Sequence, residues 1–111
     1  MNIKEHLEEI VKPRTNHVES KKDAFINACL GLAGETGEVI DLIKKIEFHG
    51  HPFEINKIKN EIGDVLFYLN WLAYLSGTDI ESCLKANAEK LRKRYSNGFN
   101  TQDSIERKDT K

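Results

Sequence analysis

Apolar and polar residues alternate with a helical period along nearly the whole chain. From Asn2 to Lys12, the apolar residues Ile3, Leu7, Ile10 and Val11 recur at steps of three and four, and Asn2 is available as an N-cap, so a short amphipathic helix is predicted. Pro13 is expected to end it. The polar segment RTNHVE, 14–19, reads as a connection, and Ser20 with Asp23 three residues later resembles a capping arrangement for the next helix. From Lys21 to Phe48 the pattern resumes through Phe25, Ile26, Cys29, Leu30, Leu32 and Ala33, then Val39, Ile40, Leu42, Ile43 and Ile46. That is one long helix, or two in line if Gly31, Gly34 and Gly37 mark a turn between them. Lys44 and Lys45 sit where cations favour a helix C-terminus.

The stretch HGHPF, 49–53, breaks the period with Gly50 and Pro52. Ile55 to Ser76 then carries a broad stripe of Ile58, Ile62, Val65, Leu66, Leu69, Leu72 and Ala73. Trp71 and Tyr74 widen it, so this helix is expected to be covered on more than one side, by its own bundle and by a second subunit. Gly77 stops it, Thr78 or Asp79 can cap the next, and Ile80, Cys83, Leu84, Ala88 and Leu91 lead a last helix to about Tyr95. Residues 100–111 are polar and predict a flexible tail. With no strand-like alternation, no repeat and short connections, the prediction is an all-α fold, an antiparallel four-helix-type bundle over residues 1–99.

Four acidic positions stand out against this background. Glu35 and Glu38 lie three apart, and Glu61 and Asp64 repeat the spacing on the second long helix. Residues three apart share a helix face, so each pair makes a two-oxygen claw, and four carboxylates would converge if the helices meet. Such a concentration of negative charge repels itself unless a cation neutralises it, and hard oxygen donors suit magnesium, or manganese, rather than zinc. The metal assignment is therefore Glu35, Glu38, Glu61 and Asp64. Gly31, Gly34, Gly37 and Gly63 surround these pairs, and each interior glycine costs a helix about 1 kcal/mol relative to alanine. Close backbone approach to a neighbouring helix or ligand would account for that cost.

Composition narrows the field. A chain of 111 residues, 39% of them hydrophobic, makes one domain with an adequate core, which oligomerisation would help. A net charge of −1 leaves no broad attraction to nucleic acid or to an anionic membrane, so neither is expected as a partner. No window approaches a membrane span and the N-terminus lacks a signal-peptide core, which points to a cytoplasmic protein. Cys29 and Cys83 have no CxxC partner and read as small packed side chains. His49 and His51 lack a third ligand and read as loop residues.

Three blocks resemble a known family, the MazG-like all-α nucleoside triphosphate pyrophosphohydrolases: GLAGETGEV with DLIKK, the ExxD of NEIGDVLFYL, and NAEKLRKRY followed by NGF. They keep the family's order over about residues 23–99. The resemblance implies antiparallel helices assembled as a homodimer or tetramer that hydrolyse a nucleotide to the monophosphate and pyrophosphate with Mg2+, for which Mn2+ is a possible substitute. It places the family's metal-binding, catalytic ExxE on Glu35 and Glu38 and its ExxD on Glu61 and Asp64. It also places substrate-binding residues on Asn87, Lys90, Arg94 and Tyr95. Ser96 stands where the family commonly has proline. Glu35 and Glu38 are both candidates to activate the attacking water, and the sequence does not choose between them.

A base could stack on Trp71, Tyr68, Phe25 or Phe99, without distinguishing which base. The reading is a magnesium-dependent (deoxy)nucleoside triphosphate pyrophosphohydrolase in nucleotide-pool clean-up. Two alternatives stand beside it: a hydrolase of the same fold acting on another nucleotide, such as a phosphoribosyl-nucleotide, and a non-catalytic helical dimerisation or regulatory module with a cation-binding acidic groove.

Overall fold

The computed structural model describes residues 1–18, 20–94 and 105. Among them every regular element is helical. The chain divides into two compact units, Met1–Thr78 and Asp79–Lys111.

In the first unit, α1 (Ile3–His6) opens on a capping box. The Asn2 side chain accepts from the Glu5 N–H at 2.8 Å, and the Glu5 carboxylate accepts from the Asn2 N–H at 3.3 Å. The predicted end at Pro13 is corrected: helix continues through it. A π-helical turn, Leu7–Val11, leads into α2 (Lys12–Thr15), with the Lys12 N–H reaching back five residues to the Leu7 carbonyl. The widened turn ends just before Pro13, so the ring enters at the first turn of a new helical segment, where a missing N–H costs little. The Arg14 guanidinium donates to the Ile10 carbonyl at 3.2 Å and the Thr15 hydroxyl to the Val11 carbonyl at 2.8 Å, so side chains help bind the carbonyls around the irregularity.

The helix α3 (Lys21–Phe48) starts at Ser20, whose hydroxyl accepts from the Asp23 N–H at 3.0 Å, and runs unbroken through all three of its glycines. That settles the choice between one helix and two. Its end is made by Gly50, whose φ of +72° suits a residue without Cβ; the N–H groups of His49 and His51 both reach the Lys45 carbonyl, each at 3.1 Å. The next helix, α4 (Ile55–Leu75), closes on Gly77 at φ +81°. There the Thr78 N–H bonds the Ala73 carbonyl at 3.0 Å and the Gly77 N–H the Tyr74 carbonyl at 3.1 Å, a Schellman closure.

The helices α3 and α4 pack together as an antiparallel pair, and the N-terminal segment lies against α4. Val11, Ala24, Ala28 and Trp71 form the buried cluster, flanked by residues including Leu7, Phe67, Tyr68 and Leu72. Ala24 and Ala28, one turn apart, present the small side chains against which a buried indole can pack. Asn70 is also buried; its amide donates to the Ile3 carbonyl at 3.1 Å and lies 2.9 Å from His6 Nδ1, tying α1 to α4.

Much of the apolar pattern stays uncovered in the single chain. Leu30 is 69% and Ile40 64% exposed on α3, and Ile62, Leu66 and Tyr74 are exposed on α4, while Trp71 is buried. The cysteines depart from expectation, for both are exposed. Cys29 follows the buried Ala28 by one residue, and the roughly 100° that a helix turns per residue takes it off the face that meets α4.

The second unit contains α5 (Ile80–Arg94), which has no buried residue. Of the two candidate caps, Asp79 is used: its carboxylate accepts from the Ser82 N–H at 2.7 Å, which holds that carboxyl below its ordinary value. The tail expected over 100–111 lies outside the described residues, apart from Ile105. No helix among the described residues is long and apolar enough to cross a membrane.

Candidate metal centre

The antiparallel pairing of α3 and α4 decides which carboxylates can meet. As residue numbers rise on α3 they fall on the facing α4, so Gly31 meets Tyr68 and, one turn along each helix, Glu35 arrives opposite Glu61 and Asp64. Each of these three offers one carboxylate oxygen to a group whose members all lie within 4.8 Å of one another. Glu35 and Glu61 are half-buried and Asp64 is exposed. Glu38 lies one turn beyond Glu35, exposed and outside this tight group, so three of the four carboxylates converge.

The like charges bear on Glu35. Loss of surrounding water and the negative fields of Asp64, Glu61 and Glu38 together push the Glu35 carboxyl above its ordinary value of 4.5. Within residues 1–78 no basic side chain lies at ion-pair distance from Glu35, Glu61 or Asp64. Asp41, less than two turns further along the same helix, shows the contrast. It pairs with Lys45 at 2.9 Å and Lys44 at 3.5 Å, and the hydrogen bond from Lys45 holds its carboxyl below the ordinary range. Both lysines are thus engaged by Asp41, and Lys45 also feels the charge of Glu38. Three hard oxygen donors within 4.8 Å of one another, two half-buried and one exposed, fit a small divalent cation such as Mg2+ or Mn2+.

The glycines divide. A methyl group built on Gly31 would fall inside the Tyr68 ring, so close backbone approach is real there, whereas at Gly34, Gly37 and Gly63 it would meet open space. Apolar period alone does not single out Gly31 and Tyr68 as a pair. Their spacing was the available signal, since Gly31 is four before Glu35 and Tyr68 four after Asp64.

The other predicted positions are placed as follows. Asn87 and Lys90 are exposed and Arg94 is half-buried on α5, at steps of three and four that put them on one helix face. Tyr95 lies outside the described residues, as do Ser96 and Phe99. Among the candidate stacking rings, Trp71 is taken up by the core, and Phe25 is half-buried with Lys21 Nζ 5.9 Å from its ring centre. Tyr68 lies between Phe67 and Trp71, its centroid 5.2 and 6.4 Å from theirs. His49 and His51 are exposed in the turn between α3 and α4 and do not enter the acidic group.

Comparison with curated proteins and with solved structures returned no match. Comparison with protein families matches residues 25–99 to the MazG nucleotide pyrophosphohydrolase domain, a span that takes in all but the first turn of α3 and all of α4 and α5. With about two thirds of its length in that match and three of the four expected carboxylates gathered across α3 and α4, the chain belongs to the MazG nucleotide pyrophosphohydrolase family.

Proposed function

We propose that this protein hydrolyses (deoxy)nucleoside triphosphates to the monophosphate and pyrophosphate, with Mg2+ held by Glu35, Glu61 and Asp64 and with Glu38 adjoining. The observation that carries the reading is the convergence of three carboxylate oxygens within 4.8 Å in a chain of this family. Magnesium, when bound there, supplies the positive charge that triphosphate oxygens need and acidifies the attacking water.

The chain's own groups account for the rest. Glu35, Glu61 and Asp64 fix the position of positive charge in the cleft and, being half-open to solvent, leave one side for the phosphates. Water attacks the α-phosphorus, the bond from it to the bridging oxygen breaks, and pyrophosphate leaves. The proton released from water goes to a carboxylate. Glu38 is favoured over Glu35 for that role, because it shares the face of α3 yet stands outside the tight group. Asn87, Lys90, Arg94 and Tyr95 are proposed to bind the substrate, the cations through its phosphates and Asn87 through an amide.

The protein is proposed to act as a homodimer or tetramer in the cytoplasm. Support comes from the apolar side chains left uncovered on the two long helices, Leu30 and Ile40 on α3 with Ile62 and Leu66 on α4. The test is product analysis: a panel of canonical and damaged nucleotides incubated with and without Mg2+, read by 31P NMR. Monophosphate and pyrophosphate, only with the metal, are expected. Release of orthophosphate from the same substrates, or no turnover of any, would refute the proposal.

A further inference from the structure

Gly31 and Tyr68 face each other across α3 and α4, and there is no room between them for even a methyl group. The contact is made by the ring of Tyr68 against helix backbone, two stiff parts, unlike the yielding end of a long aliphatic chain. Phe67 and Trp71 hold the ring from its own helix, with centroids 5.2 and 6.4 Å away. One turn further along α3 stands Glu35, and one turn back along α4 stands Asp64, with Glu61 a further turn's edge away. Side chains four apart lie nearly in line on a helix, so the separation of backbones at Gly31 and Tyr68 is carried to the carboxylates with little change over one turn, about 5.4 Å.

We infer that Gly31 and Tyr68 form a spacer that sets the distance of Glu35 from Glu61 and Asp64, and so the fit of the acidic group to a divalent cation. Both are positioning residues: the ring decides how close the helices come, and the missing Cβ permits that approach. The inference rests on the metal reading for its consequence but not for its geometry. Gly34 supplies the contrast, for it adjoins Glu35 directly and yet a methyl there meets open space. If mere proximity to the carboxylate mattered, Gly34 would be the sensitive position. The spacer makes Gly31 the sensitive one.

The test has a metal-free arm and a metal arm. In a crystal structure of metal-free Gly31→Ala, the Glu35 oxygen should have left the group that it shares with Glu61 and Asp64, now within 4.8 Å. An unchanged group with the Tyr68 ring swung aside would overturn the inference. Titration with Mn2+ alone, followed by calorimetry, should show affinity at least tenfold weaker in Gly31→Ala and within threefold of wild type in Gly34→Ala and in Tyr68→Phe, which keeps the ring. Tyr68→Ala, which removes the ring that sets the separation, should also weaken Mn2+ binding at least tenfold.

Equal weakening in Gly34→Ala, or wild-type affinity in Tyr68→Ala, would contradict the spacer. If Gly31→Ala does not fold, Tyr68→Ala decides, by losing the compact acidic group and its Mn2+ affinity or, against the inference, by keeping both. Wild type that binds no Mn2+ would sink the metal reading instead, while the metal-free structures still decide whether the spacer exists.

Discussion

The two ends of the α3 and α4 pair are built on opposite principles. Toward one end, Ala24 and Ala28 meet Trp71 and the N-terminal segment, and the burial of apolar surface joins the elements. Toward the other, Glu35, Glu61 and Asp64 bring together charges that repel, at a place where nothing in residues 1–78 neutralises them. The packed end supplies stability from which the charged end subtracts. A metal-free protein should therefore tolerate the cluster because the other end holds the helices, and the two ends should respond differently to substitution.

The largest expected effect is at the charged end. Asp64→Asn should lower magnesium-dependent turnover by about a hundredfold or more, since even indirect supporters of a metal site are worth 10–100-fold. Its circular dichroism should match wild type, and turnover close to wild type would show that Asp64 is not needed. At the packed end the order reverses. Trp71→Ala should cost about 3–5 kcal/mol in denaturant unfolding, because a large buried ring leaves a cavity among residues that only partly relax. A loss under 1 kcal/mol would mean that the indole does not hold the hairpin to the N-terminal segment.

Asn70→Ala comes next, at about 1–3 kcal/mol, for it strands the Ile3 carbonyl and His6 Nδ1 at a partly buried contact. Faster amide exchange in the first helical turns, with α4 unaffected, is the expected signature. Gly34→Ala should go the other way and stabilise by roughly 0.5–1 kcal/mol, the ordinary helix preference for alanine where a methyl meets no neighbour. A destabilised variant would show that something outside the described residues approaches that backbone.

The smallest effect is on pH dependence. Because Glu35 holds its proton more tightly folded than unfolded, ionising it costs stability. That cost is absent below the ordinary value of 4.5, grows as pH rises through the raised folded value, and is complete above it. Thermal melts of metal-free protein across this window should decline less in Glu35→Gln than in wild type. Identical slopes would remove the argument for an uncompensated cluster.

Much of this architecture could be read from the residues because its signals are local. The bounds of α3, the caps at Asn2 and Ser20, and the closures at Gly50 and Gly77 follow from helical period and turn chemistry within a few positions. Pro13 misled because the irregularity that accommodates it is a π-helical turn upstream, which apolar spacing does not report. Cys29 misled for a related reason: the apolar stretch of α3 is wider than the face that α4 covers, and period alone does not say which part is covered. At the site, the ExxE and ExxD spacings lie on the two helices that bring Glu35, Glu61 and Asp64 together. They did not show that Glu38 would stand apart from the other three, since that depends on where the backbones cross.

Manganese diffused into crystals of the wild-type protein offers the most direct check of the acidic group, because the ion can be located by its own anomalous scattering. The peak should lie about 2 Å from oxygens of Glu35, Glu61 and Asp64 together. A peak held by other residues, or none at a concentration that supports turnover, would contradict the assignment of these three carboxylates.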